Sequence, residues 1–126
     1  MSVIEYKSRF KEYFLLKMSQ YRRTAQRKIQ AYMTPLLVHL MACEYFGKSH
    51  KDYNWLFKEV KHLKSIILKA NQKKKTNKEW FSKEFIIEIS EDEMASAKYE
   101  FFKKYKDDDI KDYESILDFT WFDLFD

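Results

Sequence analysis

The sequence of 126 residues contains one glycine, one proline and one cysteine. Folds rich in β-sheet need many tight turns of glycine and proline, so these low counts argue against them. A glycine-rich loop that binds phosphate is excluded as well, because such a loop needs several glycines. A lone cysteine cannot form a disulfide within the chain, which fits a reducing compartment. The composition therefore favours long helices joined by polar loops.

Long apolar runs are also missing. No stretch approaches the roughly 18 apolar residues of a membrane-spanning helix, and charges throughout residues 1–14 leave no apolar segment of the kind found in signal peptides. We therefore expect a cytoplasmic protein that makes no membrane contact. Apolar residues still make up 45% of the chain, which is enough for a core, and the length predicts a single domain over residues 1–126.

The first 47 residues predict two helices. Thr34 and Pro35 predict the boundary between them, because proline disfavours helical geometry in the preceding residue and suits the first position of a helix. Gly47 is typical of a helix end. Residues 34–47 are apolar nearly all round and are therefore predicted to form a short helix buried at the centre of a bundle. The preceding helix is predicted from apolar residues that recur every three or four positions: Val3, Tyr6, Phe10, Phe14, Met18, Tyr21, Ala25, Ile29 and Tyr32.

The rest of the sequence predicts further helices. An apolar seam at helical spacing covers residues 53–70, and capping-box patterns that begin at Thr76 and at Ser90 predict two more helix starts. Residues 85–89 are rich in β-branched side chains, so a short strand is the alternative there. We favour a helix because no partner strand is evident. With a last helical segment from Ile110 to Leu124, the prediction is an all-α, single-domain bundle of five or six helices around the helix at 34–47. The aromatic residues of 119–126 cannot all be buried on one helical face, so this tail is expected either to wrap over the core or to face a partner.

Charge is divided unevenly along the chain. Residues 1–75 hold 17 Lys and Arg against 5 Asp and Glu, whereas residues 76–126 hold 7 against 15. The two halves can neutralise each other, or the basic half can face nucleic acid or an acidic protein surface. The candidate contact surface consists of the outer faces of the predicted helices and the aromatic C-terminal stretch: Arg9, Arg23, Arg27, Lys58, Lys61, Lys69, Trp121 and Phe122.

Candidates for catalysis or metal binding are few. His39 and Cys43 are four residues apart on one helical face, a spacing that can hold a metal or pair a nucleophile with a base. Two further metal ligands would be required, and His50 and His62 fall on other elements. Small helical ribonucleases of toxin–antitoxin pairs place a histidine four to six residues after an arginine, whereas Arg27 precedes His39 by twelve. A buried thiol ordinarily behaves as a small apolar side chain. We therefore expect no catalytic residue, cofactor or metal.

Part of the chain resembles a known family. Residues 36–41 read LLVHLM, and residues 115–122 form an acidic and aromatic ending, SILDFTWF. Between them stand residues that continue the pattern: Glu44, Tyr45, Lys48, Ser49, Trp55, Leu63, Ile66, Ile67 and Leu68. Over residues 22–70 this progression is similar to the bacterial helical family known as domain of unknown function twenty-nine. The resemblance implies an all-helical fold and implies no activity.

These patterns favour a non-enzymatic intracellular module that binds a protein partner. A short, lysine- and tyrosine-rich, glycine-poor chain also suits a phage or mobile-element inhibitor of host nucleic-acid machinery, which is the narrower hypothesis. The alternative is a nucleic-acid-binding protein that uses the basic faces of residues 1–75, where the excess of lysine favours contacts to the phosphate backbone. A small nuclease or toxin-like enzyme is the third hypothesis.

Overall fold

The computed structural model describes residues 3–105, with side chains from residue 9 onward. Every regular element in this part of the chain is a helix, as the sequence predicts, and the β-type pairing within it is an isolated bridge between Gln72 and Glu79. None of these helices combines the length and the apolarity that crossing a bilayer requires. The helices are α1 over Val3–Phe46, α2 over Tyr53–Asn71 and α3 over Lys83–Lys104.

The number of helices corrects the predicted architecture. The described residues form three helices, so the prediction of five or six helices around a separate central helix is wrong. Residues 36–38 and 40–43 are buried as expected, but the helical part of residues 34–47 is the C-terminal third of α1. Residues 85–89 belong to α3, which confirms helix over strand there. The predicted last segment, from Ile110 to Leu124, lies outside the described range.

α1 is one helix of 44 residues that runs through Pro35. Proline cannot donate a hydrogen bond to the carbonyl of Ala31, and an interior proline costs a helix about 3 kcal/mol. Ala31 is exposed, so water can satisfy its carbonyl. Met33, Leu36 and Leu37, which flank the proline, are completely buried, and burial of each such side chain contributes about 1.5–3 kcal/mol. Packing therefore outweighs the local preference for a break before the proline.

Gly47 ends α1 as predicted. Its φ angle is +74°, a left-handed conformation that favours glycine, and its N–H donates to the carbonyl of Cys43 at 3.0 Å. The following turn reverses the chain, so α2 runs antiparallel to α1. Ring contacts show this directly, because His39 on α1 meets Trp55 near the start of α2 with the ring centroids 5.7 Å apart.

α3 runs parallel to α1. The Arg22 guanidinium lies 5.0 Å from the ring centre of Phe81, just before α3, while Phe46 at the other end of α1 lies 5.1 Å from Tyr105, just after α3. Midway, the Thr34 hydroxyl donates to a Glu93 carboxylate oxygen at 2.8 Å. Both α2 and α3 pack mainly on α1 rather than on each other. α1 is therefore the common support of the bundle.

The core is one apolar cluster that includes side chains from all three helices. On α1 this cluster begins at Ala25, so the preceding part of the helix extends beyond the core, with Arg22 still in contact with Phe81. α2 buries the seam that the sequence predicts. The buried apolar residues are Ala25, Ile29, Met33, Leu36, Leu37, Val38, Leu40, Met41, Ala42, Cys43, Leu56, Val60, Leu63, Ile67, Phe81, Ile86, Ile89, Ala97 and Phe101.

The connection between α2 and α3 is fixed by Asn71, the last residue of α2. Its side chain is 2% exposed and bonds both main-chain polar groups of Phe81. The Asn71 amide donates to the Phe81 carbonyl at 3.0 Å, and its oxygen accepts from the Phe81 N–H at 2.9 Å. The Asn71 carbonyl also accepts from the N–H of Trp80 at 2.7 Å. A buried asparagine thus holds the two ends of residues 71–81 together.

The start of α3 differs from the two helix starts that the capping-box patterns predict. Its N-cap is Ser82, whose hydroxyl accepts from the N–H of Phe85 at 3.2 Å. Thr76 instead stabilises a turn, since its hydroxyl donates to the carbonyl of Lys73. Ser90 lies buried inside α3 and donates to the carbonyl of Ile87 at 2.6 Å. Neither Thr76 nor Ser90 starts a helix, so both predicted starts are wrong.

Candidate interaction surface

The N-terminal part of α1 carries the largest exposed apolar surface of the described residues. We define residues 9–24 as the arm; its 16 residues are about 24 Å long at the helical rise. Phe10, Phe14 and Tyr21 continue the same stripe that Ala25 begins to bury, yet they are 63%, 53% and 57% exposed. The other exposed large apolar residues of the arm are Tyr13, Leu15 and Leu16.

The arm is also basic. Residues 9–24 contain five Lys and Arg against one Glu, a net charge of +4. Arg9 and Arg23 are exposed, as predicted, near the two ends of the arm and on the helical face opposite the apolar stripe. Lys17 lies within the stripe, with its ammonium 5.6 Å from the ring centre of Tyr13. An apolar stripe on a helix of net positive charge makes a surface that suits an acidic, apolar partner.

The other predicted contact residues are scattered along the bundle. Arg27 is exposed on α1 beyond the arm, about 27 Å along the helix from Arg9. Lys58, Lys61 and Lys69 are all exposed on α2, and the Lys61 ammonium lies 4.5 Å from the ring centre of Phe57. Their order along α2 spreads these lysines over about 16 Å of helix. The two remaining predicted contact residues, Trp121 and Phe122, lie outside the described residues.

Lys69 belongs to a basic concavity at the junction of α2 with the following turn. The concavity has a volume of about 520 Å³ and includes four lysines. One of them, Lys73, is half-buried, with its ammonium 5.0 Å from the ring centre of Trp80. The turn is ordered by a hydrogen bond between the Lys73 N–H and the Lys78 carbonyl at 2.9 Å. The residues that line it are Lys69, Gln72, Lys73, Lys74, Lys75, Thr76 and Asn77.

His39 and Cys43 are placed for packing rather than for chemistry. Nδ1 of His39 donates to the carbonyl of Pro35 at 2.6 Å, so this nitrogen is occupied within α1. Cys43 is buried, and burial, with a smaller contribution from the charge of Glu44, raises the pKa of its thiol. A thiol with a raised pKa stays protonated at neutral pH and is a poor nucleophile. Within residues 3–105, no cluster of three His, Cys, Asp or Glu could hold a metal ion.

A groove beside His39 runs between α1 and α3. It has a volume of about 530 Å³ and combines apolar residues of α1 with polar residues of α3. The Glu93 carboxylate in this groove is already bonded to the Thr34 hydroxyl at 2.8 Å. Cys43 is not part of the lining, so the groove does not bring the predicted pair together. It is lined by Thr34, Pro35, Val38, His39, Glu93, Ser96, Glu100 and Lys104.

Sequence reasoning identified the cations of the arm but missed its exposed apolar stripe. The pattern over residues 3–32 predicts an amphipathic helix, and helical periodicity does not reveal where the packing partners of its apolar face end. The lengths of the three helices explain why part of the stripe is exposed. α1 has 44 residues, whereas α2 and α3 have 19 and 22, so neither can cover its whole length.

Comparison with known proteins gives no match: no family model, curated protein or solved structure is similar to this chain. The resemblance of residues 22–70 to domain of unknown function twenty-nine therefore stays a prediction.

Proposed function

We propose that this chain is a non-enzymatic protein-interaction module that binds its partner along the arm. The observation that supports the proposal is the exposure of Phe10, Phe14 and Tyr21 on a helical face whose continuation forms the core. Monomeric proteins rarely expose contiguous apolar patches larger than a few hundred Å² unless the patch binds something. An uncovered stretch of an otherwise buried stripe is a surface of that kind.

The area of the arm is sufficient for binding. An aromatic side chain can bury 150–250 Å², so each half-exposed aromatic of the arm offers about 100 Å² to a partner. Covering that area is worth about 2.5 kcal/mol per side chain before the costs of association. The four aromatic residues Phe10, Tyr13, Phe14 and Tyr21 are all more than half exposed, so together they supply an anchor cluster of the type that dominates interfaces.

The charge of the arm defines the kind of partner. A net charge of +4 over 16 residues opposes association with a second basic surface and favours an acidic one. A rod-shaped surface about 24 Å long suits an amphipathic helix laid along it, with apolar side chains on one face and carboxylates at its edges. We therefore assign the partner segment as an acidic amphipathic helix.

Photo-crosslinking in the cells that make the protein tests this assignment. A photoreactive phenylalanine analogue replaces Leu15 on the arm in one variant and Tyr99 on α3, which is also exposed, in a control variant. We expect a discrete protein adduct from position 15 that is absent from position 99. The cross-linked peptide, sequenced by mass spectrometry, should carry acidic residues beside an apolar stripe.

Two outcomes would refute the proposal. Equal adduct yields at positions 15 and 99 would show that the arm has no special contact, and a basic cross-linked peptide would contradict the assigned partner chemistry. The narrower hypothesis of a phage or mobile-element inhibitor of host nucleic-acid machinery stays a prediction from composition. The identity of the cross-linked protein tests that hypothesis as well.

A second candidate function is nucleic-acid binding, and the lysine-lined concavity is the observation that favours it. Lys69, Lys73, Lys74 and Lys75 bring four positive charges to one ordered turn, which suits phosphate oxygens. We expect a fluorescent 20-base-pair duplex to bind with an affinity that falls steeply with salt. Replacing Lys73, Lys74 and Lys75 with alanine should then make the log–log salt slope shallower by about 2–3 units. Absence of duplex binding at low salt would remove this candidate.

A further inference from the structure

We propose that the partner segment on the arm is residues 106–126 of a second copy of this chain, in a reciprocal dimer. This inference rests on the proposed function, because it names the occupant of the same surface. Residues 106–126 contain eight Asp and Glu against two Lys, a net charge of −6, where the arm carries +4. They also hold apolar residues at helical spacing from Ile110 through Leu117 to Leu124.

The lengths of the two surfaces agree. As a helix, residues 110–124 would extend about 22 Å, close to the 24 Å of the arm. Opposite charge and equal length suit an antiparallel helix pair with its apolar stripes facing each other. The sequence of this C-terminal segment thus has the charge and the apolar spacing of the partner that the arm requires, and the segment is present at the same concentration as the arm itself.

The position of residue 105 excludes pairing within one chain as a helix. The ring of Tyr105 lies 5.1 Å from that of Phe46, at the end of α1 opposite the arm. The distance back along α1 from Phe46 to Tyr21 is about 37 Å, and to Phe10 about 54 Å. Residues 106–109 in extended form span at most about 14 Å and a helix over residues 110–124 about 22 Å, so a segment paired within one chain would lie along the bundle and end near Tyr21, short of the rest of the arm. The arm of a second copy has no such restriction.

In a dimer with a two-fold axis, the arm of each copy can pair with residues 106–126 of the other. When two copies lie antiparallel, the arm of each reaches past the bundle of the other, toward the chain end that follows its Tyr105. The contact is closed, because each copy donates one segment and accepts one, and closed two-fold dimers are the commonest oligomers. Four aromatic residues per arm, at about 100 Å² each, give about 800 Å² from the arms alone. The segments add a similar area, which passes the roughly 1,000 Å² expected of a biological interface.

Sedimentation velocity on the full chain tests the dimer. We expect the parent to be dimeric at micromolar concentration and its dissociation constant to rise with salt. Phe14→Glu on the arm and Trp121→Glu in the segment should each raise that constant at least tenfold, whereas Tyr99→Glu should leave it unchanged. An equimolar mixture of the two weakened variants keeps one intact arm–segment contact, and it should dimerise more tightly than either alone. Circular dichroism checks that each variant is folded.

Photo-crosslinking between two copies tests the dimer without the glutamate substitutions. The chain with the photoreactive residue at position 15 is mixed with unmodified chain labelled with nitrogen-15, and adducts are sequenced. Peptides from residues 106–126 of the labelled chain support the inference. Adducts only within one chain, arm-to-arm adducts, or a parent that stays monomeric would overturn it. If the parent is monomeric but position 15 captures another acidic protein in cells, the proposed function stands and only this inference fails.

Discussion

Replacing Asn71 with alanine should destabilise the protein by about 2–5 kcal/mol. The Asn71 amide is 2% exposed and bonds the N–H of Phe81 at 2.9 Å and its carbonyl at 3.0 Å. The substitution leaves both main-chain groups without these partners, and an unsatisfied buried polar group costs about 1–3 kcal/mol. Domains of this size have a total free energy of unfolding of about 5–15 kcal/mol. The variant should therefore fold, with a much lower urea midpoint measured by circular dichroism.

Two companion variants identify the cause. Asn71→Asp keeps an acceptor for the Phe81 N–H but places an oxygen against the Phe81 carbonyl, so it should also lose stability at neutral pH. Asn77→Ala removes an exposed asparagine from the same connection and should change the free energy of unfolding by less than about 0.5 kcal/mol. A loss of less than about 1 kcal/mol for Asn71→Ala would refute the assignment of Asn71 as the residue that fixes this connection.

Three further predictions follow from single residues. Pro35→Ala should raise the free energy of unfolding by about 1–2 kcal/mol in urea melts, because it restores a donor for the Ala31 carbonyl and relieves the clash of the ring; a loss of stability would contradict the continuous helix. Ser82→Ala should cost about 1 kcal/mol in the same assay through loss of the α3 cap, and an unchanged midpoint would contradict the cap. Cys43 is buried, and burial raises the pKa of its thiol, so iodoacetamide at pH 8 should alkylate it more slowly in the native protein than in guanidinium chloride. The pKa of the Cys43 thiol is higher in the folded than in the unfolded state. The stability that this difference contributes is therefore fully present below about pH 8.5, the unfolded value, and is lost as the pH rises through the folded pKa. Equal alkylation rates would contradict the burial.

Helical periodicity predicted the class of the fold and the buried seam of α2, because these depend on which residues share a helical face. The short local signals at Pro35, Thr76 and Ser90 predicted helix boundaries that the structure does not have. Pro35 and Ser90 both lie inside continuous helices whose stripes are buried on either side. Tertiary packing thus outweighs signals worth about 1–3 kcal/mol each.

The burial of Asn71 and the exposure of Phe14 depend on tertiary contacts, which helical periodicity does not predict. Asn71 reads as the start of a polar loop, and its burial arises because Phe81, ten residues later, returns to the end of α2. Phe14 has the same helical phase as buried residues of α1, and its exposure arises because α2 and α3 end before they reach it. The cations Arg9 and Arg23 were predictable, since a charged face opposite an apolar stripe is exposed in any packing arrangement.

The arm also has a consequence for the helix–coil equilibrium of α1. An isolated helix of 16 residues is only marginally stable in water, and most helical stability in proteins comes from tertiary packing. The arm lacks the packing that α2 and α3 give the rest of α1, so in the monomer, with the arm unoccupied, its amides should exchange with solvent far faster than those around Leu36. Binding of a partner to the arm is then coupled to stabilisation of the arm's own helix. Its affinity should fall with any arm substitution that lowers helix propensity, even one that touches no partner.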